Sequence, residues 1–396
     1  MRNPTTFLKE EYDQLVQASL DWRIKHLESP SQAHTIVNGK DVIMMTSNNY
    51  LDLANHPKVK EAAIEATKKY GAGAGAVPGI SGNLKIQKEF EDKMAQFKKV
   101  EAALACQTGF AVNAGLIPQL IGKGDLVISD QLNHGSIIDG VRLSKADKDI
   151  YKHNDMQDLA RVLEEAENKE EAPRRILIIT DGVFSMDGDI APLPEITNLA
   201  EKHGAMVYVD DCHGEGVLGG GRGIVHHFGL QGRVHVEGGG MSKGLGVFGG
   251  CIAGSHDLIN FAYNKSRTWL LSTALPPAVF GASIASIDIM ENEPEHNERL
   301  WKSTRYFKKA VDDLGFNTGN SQTPIIPIIV GDAPKAKQLS DELFKEGVWG
   351  FPIVFPMVAK ELSRIRLQIN AGLNQEDLDF ALGKLEMIGK KLEIIK

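Results

Sequence analysis

Short apolar runs alternate with longer amphipathic stretches through the middle of the chain. Between about Pro57 and Glu293, the runs DLVISD, RRILIITDG, GAMVYVDD and VHVEGGG each precede a stretch with the length and periodicity of a helix. This alternation is typical of a parallel sheet covered by helices, in which ligands bind beyond the carboxyl ends of the strands. The pattern therefore predicts an α/β fold whose site lies at the strand ends.

The two ends of the chain follow other patterns. The first forty residues indicate a polar helix that forms an arm, with an irregular apolar stripe of Leu8, Tyr12, Leu15, Leu20 and Trp22. After Glu293, the strands TPIIPIIVG and SRIRLQINA mix with helices that begin at Ala333 and Gln375. We therefore predict an arm with the first strands over 1–56, a large domain over 57–293 and a smaller α+β domain over 294–396.

Composition and charge exclude several classes of protein. The net charge of −8, from 44 basic and 52 acidic residues without a long basic run, argues against a nucleic-acid surface. The chain has no run of about 20 uncharged apolar residues, so no membrane span is expected. Cys106, Cys212 and Cys251 show neither a disulfide framework nor a zinc spacing. We expect a cytoplasmic protein without a metal site.

One lysine lies within a glycine-rich segment that follows an apolar strand. In GGGMSKGLGVFGG, which contains Lys243, seven of thirteen residues are glycine. A lysine that forms a Schiff base with a cofactor needs a close approach of the backbone and a partly dry site, where its amine can act as nucleophile and base. A surface turn with a solvated lysine explains the segment equally well.

Two further segments carry groups that suit a charged cofactor. The strand VYVDDCHGEG ends in Asp210, Asp211 and His213, and a carboxylate there can pair with a protonated ring nitrogen. The same aspartates could instead cap a helix or bind a metal ion. In ACQTGFAVNAGL, a helix is expected to begin near Thr108, where free N–H groups favour a phosphate. An ordinary capped helix is the alternative there.

Taken together and in this order, the segments resemble the α-oxoamine synthase family of pyridoxal-phosphate (PLP) enzymes. The likeness runs from about Ser47 to the C-terminus. It rests on SKGLG, DDCH and NHGS, with VFSMDGD, STALPP and RIRLQ in the expected places. The resemblance implies the α/β fold of fold-type I PLP transferases, with a mostly parallel sheet, and a PLP-dependent C-acyltransferase that acts as a homodimer with shared sites.

The resemblance also implies a role for each matching residue. Lys243 would bond to PLP, His134 would stack on its ring, and Asp210 would pair with the ring nitrogen. Arg366 and Asn48 would hold the amino-acid carboxylate, Arg366 by a bidentate fork. The remaining cofactor contacts would be His213 and Ser185 at the phenolic oxygen, Thr108, Gly109 and Phe110 at the phosphate with Ser242 as an additional hydroxyl, and Ser272 and Thr273 from the second subunit.

The resemblance implies two substrates, an amino acid and an acyl thioester carried by coenzyme A or by a carrier protein. The stretch ISDQLNHGSIIDGVRLSKA, followed by HNDM, is most similar to the glycine-using 2-amino-3-ketobutyrate ligase branch, so glycine is the favoured amino acid. Lys243, freed from the cofactor, would act as general base on the substrate. The product is a 2-amino-3-keto acid or, after decarboxylation, an aminoketone.

Four positions depart from the family pattern, and each loses a polar group. The family usually has arginine, histidine, threonine and histidine where this chain has Pro78, Gln87, Gly240 and Leu373. Because Gly240 offers no hydroxyl to the phosphate, we expect Gly240→Thr to tighten cofactor binding. Pro78 and Leu373 leave open an unusual acyl donor, with serine or alanine as the amino acid.

Two other functions remain compatible with the sequence. An aminotransferase of the same fold would use the same lysine, aspartate and phosphate site, but STALPP and VFSMDGD favour acyl transfer. A cofactor-bound regulatory subunit without catalysis is less consistent with this chain, because degenerate partners of that kind typically lack the lysine, and Lys243 is present.

Overall fold

The computed structural model describes residues 3–396, which divide into two compact units. The larger unit comprises Asn48–Ser185 and Asp189–Arg299. The smaller unit combines the described residues up to Ser47 with Met186–Gly188 and Leu300–Lys396. The N-terminal residues thus group with the C-terminal segment, which the linear pattern does not indicate.

Strands and helices alternate along most of the described chain. The strands are β1 His34–Val37, β2 Lys40–Met44, β3 Ala102–Cys106, β4 Leu126–Asp130, β5 Asp147–Tyr151, β6 Ile176–Asp181, β7 Met206–Asp210, β8 Val236–Gly240, β9 Gly250–Gly254, β10 Ile325–Gly331, β11 Val348–Trp349, β12 Phe351–Ile353 and β13 Ser363–Gln368. The helices are α1 Thr6–Gln17, α2 Pro57–Tyr70, α3 Lys85–Lys98, α4 Gly109–Leu120, α5 Gly135–Leu143, α6 Met156–Glu167, α7 Leu193–Lys202, α8 Ile224–His227, α9 His256–Lys265, α10 Arg267–Leu271, α11 Pro277–Asn292, α12 Glu295–Asp313, α13 Ala333–Lys345 and α14 Gln375–Lys391. Among the helices of residues 3–396, none is both long and apolar enough to cross a membrane.

A seven-stranded sheet organises the larger unit, in the order β3-β9-β8-β7-β6-β4-β5. Its strands run parallel except β9, which is antiparallel to both β3 and β8. The predicted strands β4, β6, β7 and β8 all form, and the predicted fold is confirmed. The register pairs Asp181, the last residue of β6, with Asp210, the last residue of β7. Two carboxyl groups therefore meet at the carboxyl edge of the sheet.

The smaller unit contains two three-stranded sheets, β1-β2-β11 and β10-β13-β12. The strands predicted in TPIIPIIVG and SRIRLQINA form β10 and β13, which pair antiparallel. Helices α13 and α14 begin at Ala333 and Gln375, as predicted. Helix α14 starts with a capping box, because the side chains of Asn374 and Asp377 each accept the other residue's backbone N–H.

The predicted N-terminal helix is much shorter than expected. Helix α1 ends at Gln17, so that Leu20 and Trp22 lie outside it. Ser19 adopts a left-handed conformation with φ 56°, and the Leu20 N–H donates to the Leu15 carbonyl at 2.8 Å. This closure satisfies carbonyls at the helix end and stops the helix. The remaining residues before β1 follow an irregular path, so the prediction of a helix over the first forty residues was wrong.

Candidate functional site

An open cavity of about 660 Å³ lies in the larger unit, where several strands end. Nine of the eleven residues predicted to contact the cofactor line it, together with four that were not assigned such a contact. The nine are Thr108, Gly109, Phe110, His134, Ser185, Asp210, His213, Ser242 and Lys243, and the four are Ser136, Asp181, Cys212 and Gly240.

The N-terminus of α4 forms one wall of the cavity. Thr108 is its N-cap, and its hydroxyl oxygen accepts the Ala111 N–H at 3.0 Å. The next residue, Gly109, has no side chain. A Cβ at this position would lie only 2.9 Å from Cys212 Sγ, so the close packing favours glycine. Free N–H groups and the helix dipole therefore face a gap without side chains, which suits the phosphate of PLP.

Asp210 lies on the floor of the cavity and is only 4% exposed. Its Oδ1 accepts the Cys212 N–H at 3.0 Å, and its Oδ2 accepts from Asn113 Nδ2 at 2.6 Å. The Asn113 amide oxygen accepts in turn from the Tyr208 hydroxyl at 2.7 Å. A buried carboxylate held by fixed donors fits a protonated ring nitrogen, which would supply the missing positive charge.

Asn113 also connects Asp210 to the predicted stacking histidine. A second bond runs from Asn113 Nδ2 to Ser136 Oγ at 2.9 Å, and Ser136 Oγ lies 2.7 Å from His134 Nδ1. The Ser136 N–H donates to the same Nδ1 at 3.2 Å, so the neutral ring carries its proton on Nε2. Sequence reasoning missed Asn113, because an asparagine within an apolar helix offers no spacing signal.

Asp181 is a second buried acid beside Asp210. Burial, and next the Asp210 carboxylate, raise the pKa of Asp181 well above its ordinary value. Its Oδ2 accepts the His134 N–H at 2.7 Å and thereby fixes the start of α5. The sequence carried a signal for this residue, since RRILIITDG ends in an acid at a strand end.

Tyr50, which does not line the cavity, positions the His213 side chain. The Tyr50 hydroxyl lies 2.7 Å from His213 Nδ1, and the two rings meet nearly edge to face at 6.1 Å. Tyr50 is fully buried and His213 is 8% exposed. A buried phenol that fixes one ring nitrogen holds the imidazole in a single orientation. The SNNYLDL segment, chosen for Asn48, thus contributes Tyr50 as well.

The turn that carries Lys243 is held by Glu215. A Cβ at Gly239 would overlap the Glu215 carboxylate, and one at Gly244 would overlap its carbonyl, so both positions require glycine. Glu215 Oε1 accepts from Lys98 Nζ at 2.8 Å, and Glu237 Oε2 lies 3.2 Å from the same amine. Because Gly239 and Gly244 have no side chains, the turn that carries Lys243 can pack closely against the buried ion pair of Lys98 and Glu215.

The loop that carries Ser185 is clamped by a histidine. His153 lies between Asp130 and Asp189, at 2.9 Å from one carboxylate and 2.6 Å from the other. Burial alone would lower the pKa of His153, but the hydrogen bonds and charges of the two carboxylates raise it to about 10. The ring also meets Phe184 edge to face at 4.4 Å. The HNDM and VFSMDGD motifs therefore meet in space.

Four predicted residues do not line this cavity. Ser272 and Thr273 follow α10, and the Thr273 carbonyl accepts from Gln107 Nε2 at 3.1 Å. Asn48 begins the larger unit, whereas Arg366 lies on β13 of the smaller unit, opposite Pro327 and Phe351. Their assignments to the partner's phosphate and to the substrate carboxylate remain predictions.

Gly240 has a structural partner that sequence reasoning did not identify. A Cβ at Gly240 would lie 2.8 Å from Cys212 Sγ, which already fills that space. Burial raises the pKa of Cys212 well above its ordinary value, so the thiol stays neutral. The expectation that a threonine fits at this position conflicts with that packing. Gln87, another departure, donates to Glu91 Oε1 at 2.9 Å inside the core.

Comparisons with known proteins agree with this geometry. The family model "Aminotransferase class I and II" matches residues 40–385. The 8-amino-7-oxononanoate synthase of Symbiobacterium thermophilum is 55% identical over 392 residues, 99% of either chain, and 8-amino-7-oxononanoate synthase 1 of Bacillus subtilis is 50% identical over 98% of either chain. The solved serine palmitoyltransferase of Sphingomonas wittichii superposes with a TM-score of 0.93 at 28% identity, over 100% of both chains.

Replacing Asn113 with alanine should loosen Asp210. The change removes the partner of the Tyr208 hydroxyl and of Asp210 Oδ2, while Asp210 Oδ1 keeps the Cys212 N–H, and each lost partner costs about 1–3 kcal/mol. We expect a lower free energy of unfolding and a cofactor Kd raised by about tenfold or more. Absorbance titration of the apoenzyme with PLP measures the Kd, and Tyr208→Phe, which spares the bond to Asp210, is the matched control. Equal Kd values for Asn113→Ala and the wild type would contradict the role of Asn113.

Gly240→Thr should weaken cofactor binding, contrary to the expectation from sequence. The new Cβ collides with Cys212 Sγ, and overpacking of this kind costs about 1–3 kcal/mol. Adding Cys212→Ala removes the collision, so the double variant should bind PLP more tightly than Gly240→Thr alone. The same titration compares the four proteins of this cycle. Tighter binding by the single variant would mean that the thiol moves aside without cost.

Proposed function

Because the chain belongs to the α-oxoamine synthases, PLP-dependent C-acyltransferases within the class I and II aminotransferase family, we propose that it joins a small amino acid to an acyl thioester. The observation that carries the proposal is the 55% identity to an 8-amino-7-oxononanoate synthase across 99% of both chains. The cavity supports it, since nine predicted cofactor contacts converge there.

The name of these relatives states their product, 8-amino-7-oxononanoate, and the structure of this product indicates which amino acid to propose. In 8-amino-7-oxononanoate, the amine and the last two carbons correspond to alanine without its carboxylate, and the other seven carbons to a dicarboxylic acyl group. The balanced reaction releases one thiol and one carbon dioxide. We therefore place alanine first. Glycine, which the NHGS-region motifs favour, is the second candidate.

The residues of the cavity divide the chemical work. Bound PLP supplies an electron sink for the pair left at the substrate α-carbon. Asp210 would hold the proton on the ring nitrogen, and Asn113 fixes this carboxylate. Lys243 Nζ would take the proton from the substrate α-carbon as general base. His134 would lie against the ring and exclude water, and Ser136 sets the orientation of its imidazole.

We further propose that two copies of the chain share each site. Large apolar side chains remain exposed around the cavity and beside the Ser272–Thr273 segment: Phe110 is 50% exposed, Phe248 55% and Leu271 69%. Larger exposed apolar patches mark protein–protein interaction sites. A second subunit that covers them would bring its Ser272 and Thr273 to the phosphate site.

Borohydride reduction of the holoenzyme, followed by peptide mapping, should place the cofactor on Lys243. We expect Lys243→Ala to bind PLP without a covalent bond and to lose turnover by about 10²-fold or more, because the general base is absent. Lys123→Ala, which removes an exposed lysine, is the control and should behave as the wild type. Labelling of a different lysine would show that the central assignment is wrong.

A matrix of amino acids and acyl donors tests the reaction itself. Alanine, glycine and serine are each incubated with acetyl, seven-carbon dicarboxylic and long-chain thioesters of coenzyme A or a carrier protein. Thiol release and product mass are then measured. We expect the largest rate and a product that has lost carbon dioxide with alanine and the dicarboxylic donor. In a parallel incubation with an added keto acid as amine acceptor, formation of a second amino acid without thiol release would indicate an aminotransferase instead.

A further inference from the structure

Two histidines and a glutamate meet on the larger unit, outside the residues that line the cofactor cavity. His56 occupies the N-cap position of α2, Glu293 follows α11, and His296 lies in the first turn of α12. Each offers one nitrogen or oxygen atom, and these atoms all lie within 4.8 Å of one another. All three residues are partly buried.

One tautomer of His296 leaves a ring nitrogen available for a metal ion. Its Nδ1 lies 3.2 Å from the Leu51 carbonyl, which can only accept a hydrogen bond. Donation from Nδ1 places the lone pair on Nε2, and Nε2 lies 3.9 Å from Glu293 Oε2. An imidazole whose second nitrogen donates to a backbone carbonyl is the usual arrangement around a bound metal ion.

His56 provides an independent observation. Its Nδ1 is buried and has no hydrogen-bond partner within residues 3–396, although His56 is an N-cap whose side chain could have capped the helix. A buried polar atom without a partner calls for an explanation such as a bound ion. The imidazole rings of His56 and His296 pack edge to face, with their centroids 5.9 Å apart.

We propose that His56, Glu293 and His296 bind a divalent cation of the zinc type. Two imidazoles and one carboxylate are a ligand set that zinc accepts, with a fourth position for water. Zinc ligand atoms in a tetrahedron are about 3.3 Å apart, so binding requires the side chains to close by at most about 1.5 Å. Imidazole ligands favour zinc over magnesium.

Two positively charged side chains, Lys58 and Arg299, contact the proposed ligands and are compatible with a bound ion. Lys58 Nζ binds Glu293 Oε1 at 2.5 Å, which leaves Oε2 towards His296, and the Lys58 side chain is 66% exposed. Arg299 lies 3.1 Å from His296 Nδ1. Arginine can only donate, so this contact requires the other tautomer, and metal binding would replace it by the bond to Leu51.

The bound ion would stabilise the segment beside the cofactor. Leu51, which His296 holds, follows Tyr50, and Tyr50 positions His213. The metal would therefore join the start of α2 to the α11–α12 junction and tighten the chain between them. This role is structural and does not depend on which substrates the enzyme uses.

Calorimetric titration of chelator-treated holoenzyme with Zn²⁺ tests the site. We expect one ion per chain, no binding of Mg²⁺, and a higher Tm with Zn²⁺. Loss of an outer contact to a metal ligand costs 10- to 100-fold in affinity, so His296→Ala and Glu293→Gln should each weaken binding by about 100-fold or more. His203→Ala is the matched control, since His203 also lies beside a glutamate, Glu167, at 2.8 Å.

Substitution with Co²⁺ identifies the ligands by absorption. Nitrogen and oxygen ligands give visible bands without thiolate charge transfer, whereas such charge transfer would assign the ion to a cysteine and overturn the proposal. Unchanged Zn²⁺ affinity in both variants, or no saturable binding by the wild type, would overturn it as well. If His296→Ala fails to fold by circular dichroism, the nearly isosteric Glu293→Gln decides.

Discussion

The buried ammonium group of Lys98 is the interaction on which the arrangement of the site depends. It is 2% exposed at the side chain and lies against Glu215 and Glu237, with Asp211 as a third acid close enough to interact. Burial alone would lower the pKa of Lys98, but these carboxyls raise it well above its ordinary value. Removal of such a charge from a buried pair costs about 3–5 kcal/mol, because the remaining charges stay unpaired.

This charge cluster supports the segment that carries Lys243, the proposed Schiff-base lysine. Lys98 at the end of α3 binds Glu215, and Glu215 lies against Gly239 and Gly244 on either side of the Lys243 segment. Burial also raises the pKa of the Asp211 and Glu237 carboxyl groups, so these two groups lose their protons less readily than exposed acids would. Asp211, the second acid of the DDCH motif, therefore belongs to the support, while Asp210 faces the cavity.

The sequence predicted the elements whose signals are local. Apolar runs and capping residues predict four buried strands, the start of α4 at Thr108 and the starts of α13 and α14. The predicted cavity residues follow instead from the family resemblance of the motifs that carry them. Contacts between distant segments have no such signal. Lys98 was not singled out from the sequence, and only the fold shows that it is buried. The N-terminal helix was overextended because periodicity alone does not reveal the left-handed residue Ser19.

Packing between segments also changes what a departure from the family pattern means. From the sequence alone, Gly240 means the loss of the hydroxyl that relatives have at this position. In the structure, the absence of a side chain at Gly240 leaves space that the Cys212 thiol fills. Sulfur and glycine at these positions form one packed unit, so neither substitution has an independent effect. The same reasoning applies to Asn113, whose single amide serves Asp210, Ser136 and Tyr208 at once. The chemistry of the cavity thus rests on residues that touch no substrate, because buried polar groups hold a fixed geometry only when every partner is present.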